Sequence, residues 1–284
     1  MTAQHRVGVI GAGTMGAGIA QCVAAAGIPV TVVDPDPAAA DRARRGIRAA
    51  LRSSVLLGRG PRAGELAEIT GRIRWSQHVE ELREATFVIE SVTERVALKY
   101  RVFAELDRVC APSAVFASGT SAIPIADLAA RTTRLDQVLG LHFMNPAPLT
   151  EAVEVITTAQ TAPATLATAL DFLSALGKRG IVVGDGPGFV INRVLMLAIA
   201  EAAAVTESGT DAATVDALFE GCLGHRMGPL RTADLIGLDN VADTLAVLRD
   251  ATGDDRYRVP DVLATLVENG HLGRKSGRGF HAYP

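Results

Sequence analysis

The chain has 284 residues, of which 48% are hydrophobic, and a formal net charge of −3 at pH 7. That composition suffices for a buried core and excludes a disordered chain, while the lack of a clustered basic footprint argues against nucleic acid or an acidic membrane surface as partner. Its three cysteines, Cys22, Cys110 and Cys222, are far apart and odd in number, so they form neither a disulfide framework nor a metal-ligand spacing, and a cytoplasmic setting with no bound metal is expected.

In chain order, the apolar run "RVGVI" reads as a strand, followed by a glycine cluster and the helix-period segment "TMGAGIAQCVAAAG". A second strand, "PVTVVD", leads to "PAAADRARRGIRAALRSSVLLGRGPRAGE", a long amphipathic helix over about residues 37–60 that is expected to stand away from the sheet as an arm. Five further strand-like runs follow at "TFVIES", "AVFAS", "VLGLHF", "EAVEVI" and "IVVGD", separated by helical segments. This is the βαβ rhythm of a doubly wound, mostly parallel α/β sheet covered on both faces. After "GDGPGF", read as an interdomain hinge, the rhythm stops. "VINRVLMLAIAEAAAVTESG", "DAATVDALFEGCLG", "TADLIGLDNVADTLAVLRDAT" and "VPDVLATLVENG" are all helix-like. Residues 1–184 are therefore expected to form the α/β domain, and residues 185–284 a smaller all-helical one. No apolar N-terminal segment has the form of a signal peptide, and no apolar run reaches membrane-spanning length.

The glycines Gly11, Gly13 and Gly16 give the G-x-G-x-x-G pattern directly after a strand and at the mouth of a helix. Their roles are a tight turn, room for a pyrophosphate to approach the backbone, and close packing of helix on strand. Asp34, at the end of the second strand and eighteen positions after Gly16, is placed to accept hydrogen bonds from a ribose diol. A 2′-phosphate there would meet a carboxylate, and Pro35 and Asp36 bring no cation, so the expected cofactor is NAD and not NADP.

In open parallel sheets ligands sit at the carboxyl ends of strands. Polar residues at those ends are Glu90, Glu94, Ser118 to Ser121, and His142 in "LGLHFMNPAP", where Pro146 and Pro148 end the strand; Asn192 opens the helical part. Glu154 lies inside a strand, between Val153 and Val155, where a carboxylate is costly to bury without a partner. His142, on the preceding strand, is the natural partner: a carboxylate holding one ring nitrogen leaves the other to act as a base. "GRKSGRGF" lacks the P-loop spacing and reads as a solvated basic turn, and His225 as a surface loop residue.

Taken together, "VGVIGAGTMGAGIAQ", "ESVTE", "ASGTSAIPI", "HFMNPAP", "AVEVI", "GFVINR", "MGPLRTADLIGLD" and "GRKSGRGF" resemble the successive signatures of the L-3-hydroxyacyl-CoA dehydrogenases, the 3-hydroxybutyryl-CoA dehydrogenase group in particular. The resemblance implies a Rossmann-type domain followed by a helical domain for substrate and dimer contacts, hence a homodimer. It implies NAD-dependent oxidation of a 3-hydroxyacyl thioester in fatty acid metabolism. His142 is then the general base and Glu154 its orienting carboxylate. Ser121 and Asn192 become donors to the substrate oxygens, and Glu94 and Lys99 line the nicotinamide end.

Two departures from that pattern stand out. The family commonly has Asn-Thr-Ser-Ser where this chain has Gly119, Thr120, Ser121 and Ala122, a change expected to loosen the loop by the nicotinamide. The arm carries Arg52 and Arg59 around Val55, Leu56 and Leu57 in place of the lysines that tend to meet coenzyme A phosphates. The acyl group is therefore carried either by coenzyme A or by an acyl carrier protein, as in related dehydrogenases of polyketide extender-unit pathways. A third possibility is a non-catalytic, crystallin-like NAD-binding protein.

Overall fold

A computed structural model describes residues 6–57 and 60–283 in two compact units, Met1–Gly186 and Pro187–Pro284. The first unit is built on an eight-stranded sheet in the order β3-β2-β1-β4-β5-β6-β7-β8. Its elements run β1 (Val7–Ile10), α1 (Thr14–Ala25), β2 (Val30–Val33), α2 (Pro37–Leu56), α3 (Leu66–Gly71), β3 (Ile73–Ser76), β4 (Phe87–Glu90), α4 (Val96–Val109), β5 (Val115–Ser118), α5 (Ile125–Ala129), β6 (Val138–Phe143), β7 (Ala152–Thr157), α6 (Pro163–Ala175) and β8 (Arg179–Gly184). All neighbouring strands pair parallel except β6 and β7, which are antiparallel. The central strands are short, β-branched runs buried along their whole length, as parallel strands covered on both faces must be.

The edge strand β3 escapes the sequence reading. It pairs with β2 through Ile73 to Ser76, yet Arg74 and Ser76 interrupt any apolar run, and only Ile73 is buried. An edge strand has one side without a partner and tolerates such polar residues.

The arm expectation requires correction. Helix α2 begins at Pro37 behind Asp36, whose side chain caps the Ala38 N–H at 2.9 Å, and it buries Ala43, Ile47 and Leu51 in the same core as α1 and the sheet. The four-residue spacing of those three places them on one face. Over residues 37–56 the helix therefore lies on the domain and does not stand away from it. Arg42, Arg44, Arg45, Arg48 and Arg52 along it are all exposed. Leu56 and Leu57 at its end are 86% and 71% exposed, and Arg59 lies outside the described residues.

The second unit consists of α7 (Ile191–Glu207), α8 (Ala212–Leu223), α9 (Pro229–Ile236), α10 (Leu238–Thr252) and α11 (Asp261–Glu268). Met196, Ile199 and Ala200 of α7 share a core with Leu238, Val241, Leu245 and Leu248 of α10. The chain end is clamped by a buried carboxylate. Asp234 accepts from the Phe280 and His281 N–H groups and from the Tyr283 hydroxyl, each at 2.9 Å. A Cβ at Gly279 would stand 1.9 Å from that carboxylate, so glycine is required there. "GRKSGRGF" is thus a structural clasp, further tied by the Lys275–Asp239 pair, and not simply a solvated turn. Among the described residues no helix is long and apolar enough to cross a membrane.

Candidate active site

Parallel strands deliver their carboxyl ends to one edge of the sheet, and the candidate residues of the first unit gather there. Gly11 has φ +100 and donates its N–H to Val33 O at 2.8 Å; a Cβ on it would stand 2.5 Å from Ser91 O. A Cβ at Gly16 would fall 1.9 Å from Gly11 O, which is the close helix-on-strand approach that only glycine permits. Gly13 is different, because a Cβ there would meet nothing within 4 Å. Packing does not demand glycine at that position, so its bareness matters to whatever approaches from outside. Gly13 is also the N-cap of α1 and provides no side-chain bond to the first turn, leaving those N–H groups for an anion.

Asp34 completes the cradle. Its Oδ2 accepts from the Ala12 N–H at 2.7 Å and its Oδ1 from the Asp36 N–H at 2.9 Å, so the carboxylate is held at the end of β2 and ties the glycine turn to that strand. The bare Gly13, the uncapped helix N-terminus and the fixed carboxylate fit a dinucleotide with a free ribose diol.

At the ends of β4 and β5 a buried network appears. Glu90, fully buried, accepts from the Val92 N–H (2.7 Å), from Lys99 Nζ (2.7 Å) and from Ser118 Oγ (2.7 Å). Lys99 Nζ also donates to Val92 O at 3.2 Å and lies 3.3 Å from Glu94 Oε2. Glu94 in turn accepts from the Thr120 hydroxyl, the Ser121 N–H at 3.0 Å and the Ala122 N–H at 3.3 Å. Lys99 therefore joins the two carboxylates of this network. Its side chain is 1% exposed, its donors are turned inward, and it acts by holding Glu90 and Glu94. Glu94 anchors the Thr120–Ala122 turn that carries Ser121. The Gly119 N–H donates to Glu90 O at 2.7 Å.

His142 and Glu154 sit directly opposite each other in the antiparallel β6–β7 register. Facing residues of such a pair project to the same side of the sheet. His142 Nδ1 and Glu154 Oε2 are 2.6 Å apart, both side chains less than a tenth exposed. A carboxylate only accepts, so Nδ1 carries the proton and Nε2 is the nitrogen left to exchange one. Asn192 is the second residue of α7, in the other unit, and is half-buried.

A cavity of about 700 Å³ opens beside the cradle. Its walls are Ala12 to Thr14, Gly18 and Gln21 on the α1 side, the face of α2 from Ala39 to Leu57, and the loop Asn145 to Leu149 that follows His142. Among the described residues no cluster of three or more histidines, cysteines or acids is placed to hold a metal ion.

The comparisons with known proteins agree along the whole chain. The family model for the 3-hydroxyacyl-CoA dehydrogenase NAD binding domain matches residues 6–186, and the one for the C-terminal domain matches residues 188–283. The chain belongs to the 3-hydroxyacyl-CoA dehydrogenase family. Within this family it is 40% identical to a probable 3-hydroxybutyryl-CoA dehydrogenase of Bacillus subtilis over 276 residues, covering 97% of this chain and 96% of the relative. The crystal structure of Mycobacterium tuberculosis FadB2 superposes with a TM-score of 0.96 at 40% identity, covering 99% of this chain and 100% of that one. That of the (S)-3-hydroxybutyryl-CoA dehydrogenase PaaH1 from Ralstonia eutropha gives 0.92 at 35% identity, with coverage of 99% and 100%. Membership of a 3-hydroxyacyl-CoA dehydrogenase family with an NAD binding domain makes the chain an NAD-dependent enzyme.

The sequence places Glu90, Ser118 and Thr120 at or just past strand ends but gives none of them a role. The signal available was an acidic residue closing the apolar run "TFVIE" with a lysine nine positions on. It gains meaning only when both are seen to be buried.

Proposed function

We propose that the chain interconverts 3-hydroxyacyl-CoA and 3-ketoacyl-CoA thioesters, 3-hydroxybutyryl-CoA among them, with His142 as general base and Glu154 as its orienting carboxylate. The observation that carries this reading is the 2.6 Å contact between the two buried side chains across β6 and β7. Oxidised NAD, when bound, supplies the hydride acceptor. Loss of hydride from a secondary alcohol builds positive character on carbon unless the hydroxyl proton leaves with it. Nε2 of His142 takes that proton, and the carboxylate on Nδ1 stabilises the imidazolium that results. In the reverse direction the imidazolium returns the proton to the nascent alkoxide. Ser121, held in place by Glu94, donates a hydrogen bond to an oxygen of the thioester substrate. The helical unit serves as the substrate and dimerisation domain; Leu218 and Leu223 on α8, 56% and 64% exposed, suit a homodimer contact.

His142→Ala should lower kcat for acetoacetyl-CoA reduction by roughly 10² to 10⁴ while NADH binding survives. Nearly full turnover would remove His142 from the mechanism, and no turnover by the unaltered chain with any thioester would favour a non-catalytic protein.

A carrier-protein thioester is the second reading, favoured by the rim of the cavity. Arg42 of α2 lines the cavity together with Leu57 and Leu149, which are 71% and 72% exposed, and the same helix carries four more exposed arginines, Arg44, Arg45, Arg48 and Arg52. Such a surface complements an acidic carrier protein. A kcat/KM for hydroxybutyryl carrier protein well above that for the coenzyme A thioester, and falling with salt, would establish it; the opposite order would dismiss it.

A further inference from the structure

Lys178 is a buried cation with no part in the proton transfer. It stands between α6 and β8, 9% exposed, and its Nζ donates to Ala147 O at 2.7 Å and to Thr150 O at 2.6 Å. It forms no salt bridge among the described residues. A buried ammonium without a carboxylate is a costly choice where an apolar side chain would pack as well. What it holds explains the choice. Ala147 and Thr150 belong to the loop that joins β6 to β7, and Asn145 to Leu149 of that loop form one wall of the 700 Å³ cavity. From the opposite side the wall rests on α1, where a Cβ at Gly18 would stand 3.2 Å from Ala147 Cβ and 3.5 Å from Pro148 Cδ. The two contacts clasp the wall: Lys178 draws its carbonyls inward, and the bare Gly18 lets it approach the helix. The ammonium is also near enough to Cys22 on α1 to oppose the burial that pushes that thiol up to about 11.

From this clasp we infer that Lys178 is a positioning residue for the acyl-thioester substrate, setting the loop wall of the cavity through the carbonyls of Ala147 and Thr150. The inference takes this cavity, bounded by α1, α2 and the loop that follows His142, as the groove for the thioester's carrier arm, and so rests on the proposed dehydrogenase function for its thioester ligand. His142 and Glu154 are held by the strand ladder itself, and the Gly11–Gly16 turn and Asp34 hold each other. Loss of Lys178 should therefore weaken the thioester selectively.

The test compares Lys178→Met with the unaltered chain by calorimetric titration of acetoacetyl-CoA and fluorescence titration of NADH, together with kcat. Two carbonyls left without their donor should weaken acetoacetyl-CoA binding by about tenfold, with NADH affinity and kcat close to those of the unaltered chain. Thioester affinity equal to that of the unaltered chain, or a loss falling on NADH or kcat instead, overturns the proposal. Should Lys178→Met fail to fold, Gly18→Ala presses the same wall from α1. Weakened thioester binding in that variant supports the proposal, and unchanged binding overturns it. Binding without turnover by the unaltered chain removes the dehydrogenase reading but leaves the role of Lys178 standing; absence of binding overturns the groove assignment and this proposal with it.

Discussion

Replacing Glu154 by glutamine isolates the charge of the carboxylate from its shape. The side chain keeps its length and an oxygen that can accept from Nδ1, so the ring need not turn, but the imidazolium formed during the reaction loses its counter-charge. The structure sets the size of that loss. The pair is 2.6 Å apart with side-chain exposures of 6% and 8%, so water screens it little. A hydrogen bond to a charged group in such surroundings is worth about 1.5–3 kcal/mol, and since the charge on the ring exists only along the reaction, that amount falls on the barrier. The expected drop in kcat is roughly ten- to hundredfold. Stability should change little, because removing a buried charge also removes its desolvation cost. The assay is steady-state reduction of acetoacetyl-CoA by NADH, with the melting temperature and the NADH dissociation constant measured in parallel. A variant with unaltered kcat, or one whose loss of activity follows a fall in melting temperature, would refute the role given to Glu154.

The ribose assignment is tested by Asp34→Ser combined with Pro35→Arg, which should raise the NADP-to-NAD ratio of kcat/KM by about tenfold or more as a guanidinium replaces a carboxylate. Some NAD affinity should be lost too, because Asp34 also holds the Ala12 N–H; an unchanged ratio would move the ribose elsewhere. Away from the site, Asp107 is held below the ordinary carboxylate range: burial alone would raise it, but hydrogen bonds from Thr133 and Arg134 and the guanidinium charge outweigh that. A group depressed in the folded state stabilises fully above its unfolded value, about pH 4, and loses that contribution as the pH falls through the folded value. Asp107→Asn should therefore cost about 2 kcal/mol in urea unfolding at pH 7, and progressively less toward pH 3. A cost that grows on acidification would contradict the sign.

Much of the fold is written in local pattern. "RVGVI", "PVTVVD" and "TFVIES" are strands because β-branched runs a few residues long can be buried on both faces only in a parallel sheet, and the helical segments after "GDGPGF" have no such runs between them. The glycine turn and Asp34 were legible for the same reason, since a backbone that must pass close to a phosphate or a neighbouring strand leaves its mark on consecutive residues. Edge strand β3 and the packing of α2 were not. The first depends on which side of Ile73 to Ser76 lacks a neighbour, and the second on whether the apolar face of an amphipathic helix finds the same chain or stays open.

The sequence by itself therefore determined the α/β architecture, the cofactor and the residue types at the strand ends, because periodicity, glycine spacing and a terminal carboxylate act over a few residues of chain. Tertiary structure alone decided which polar groups meet. Lys99 turns inward to Glu90, Ser118 reaches the same carboxylate from twenty-eight residues away, and Lys178 closes on the loop beside Gly18. Residue 142 faces residue 154 only because β6 and β7 run antiparallel in that register, and a slip of one residue would turn one of them to the other side of the sheet.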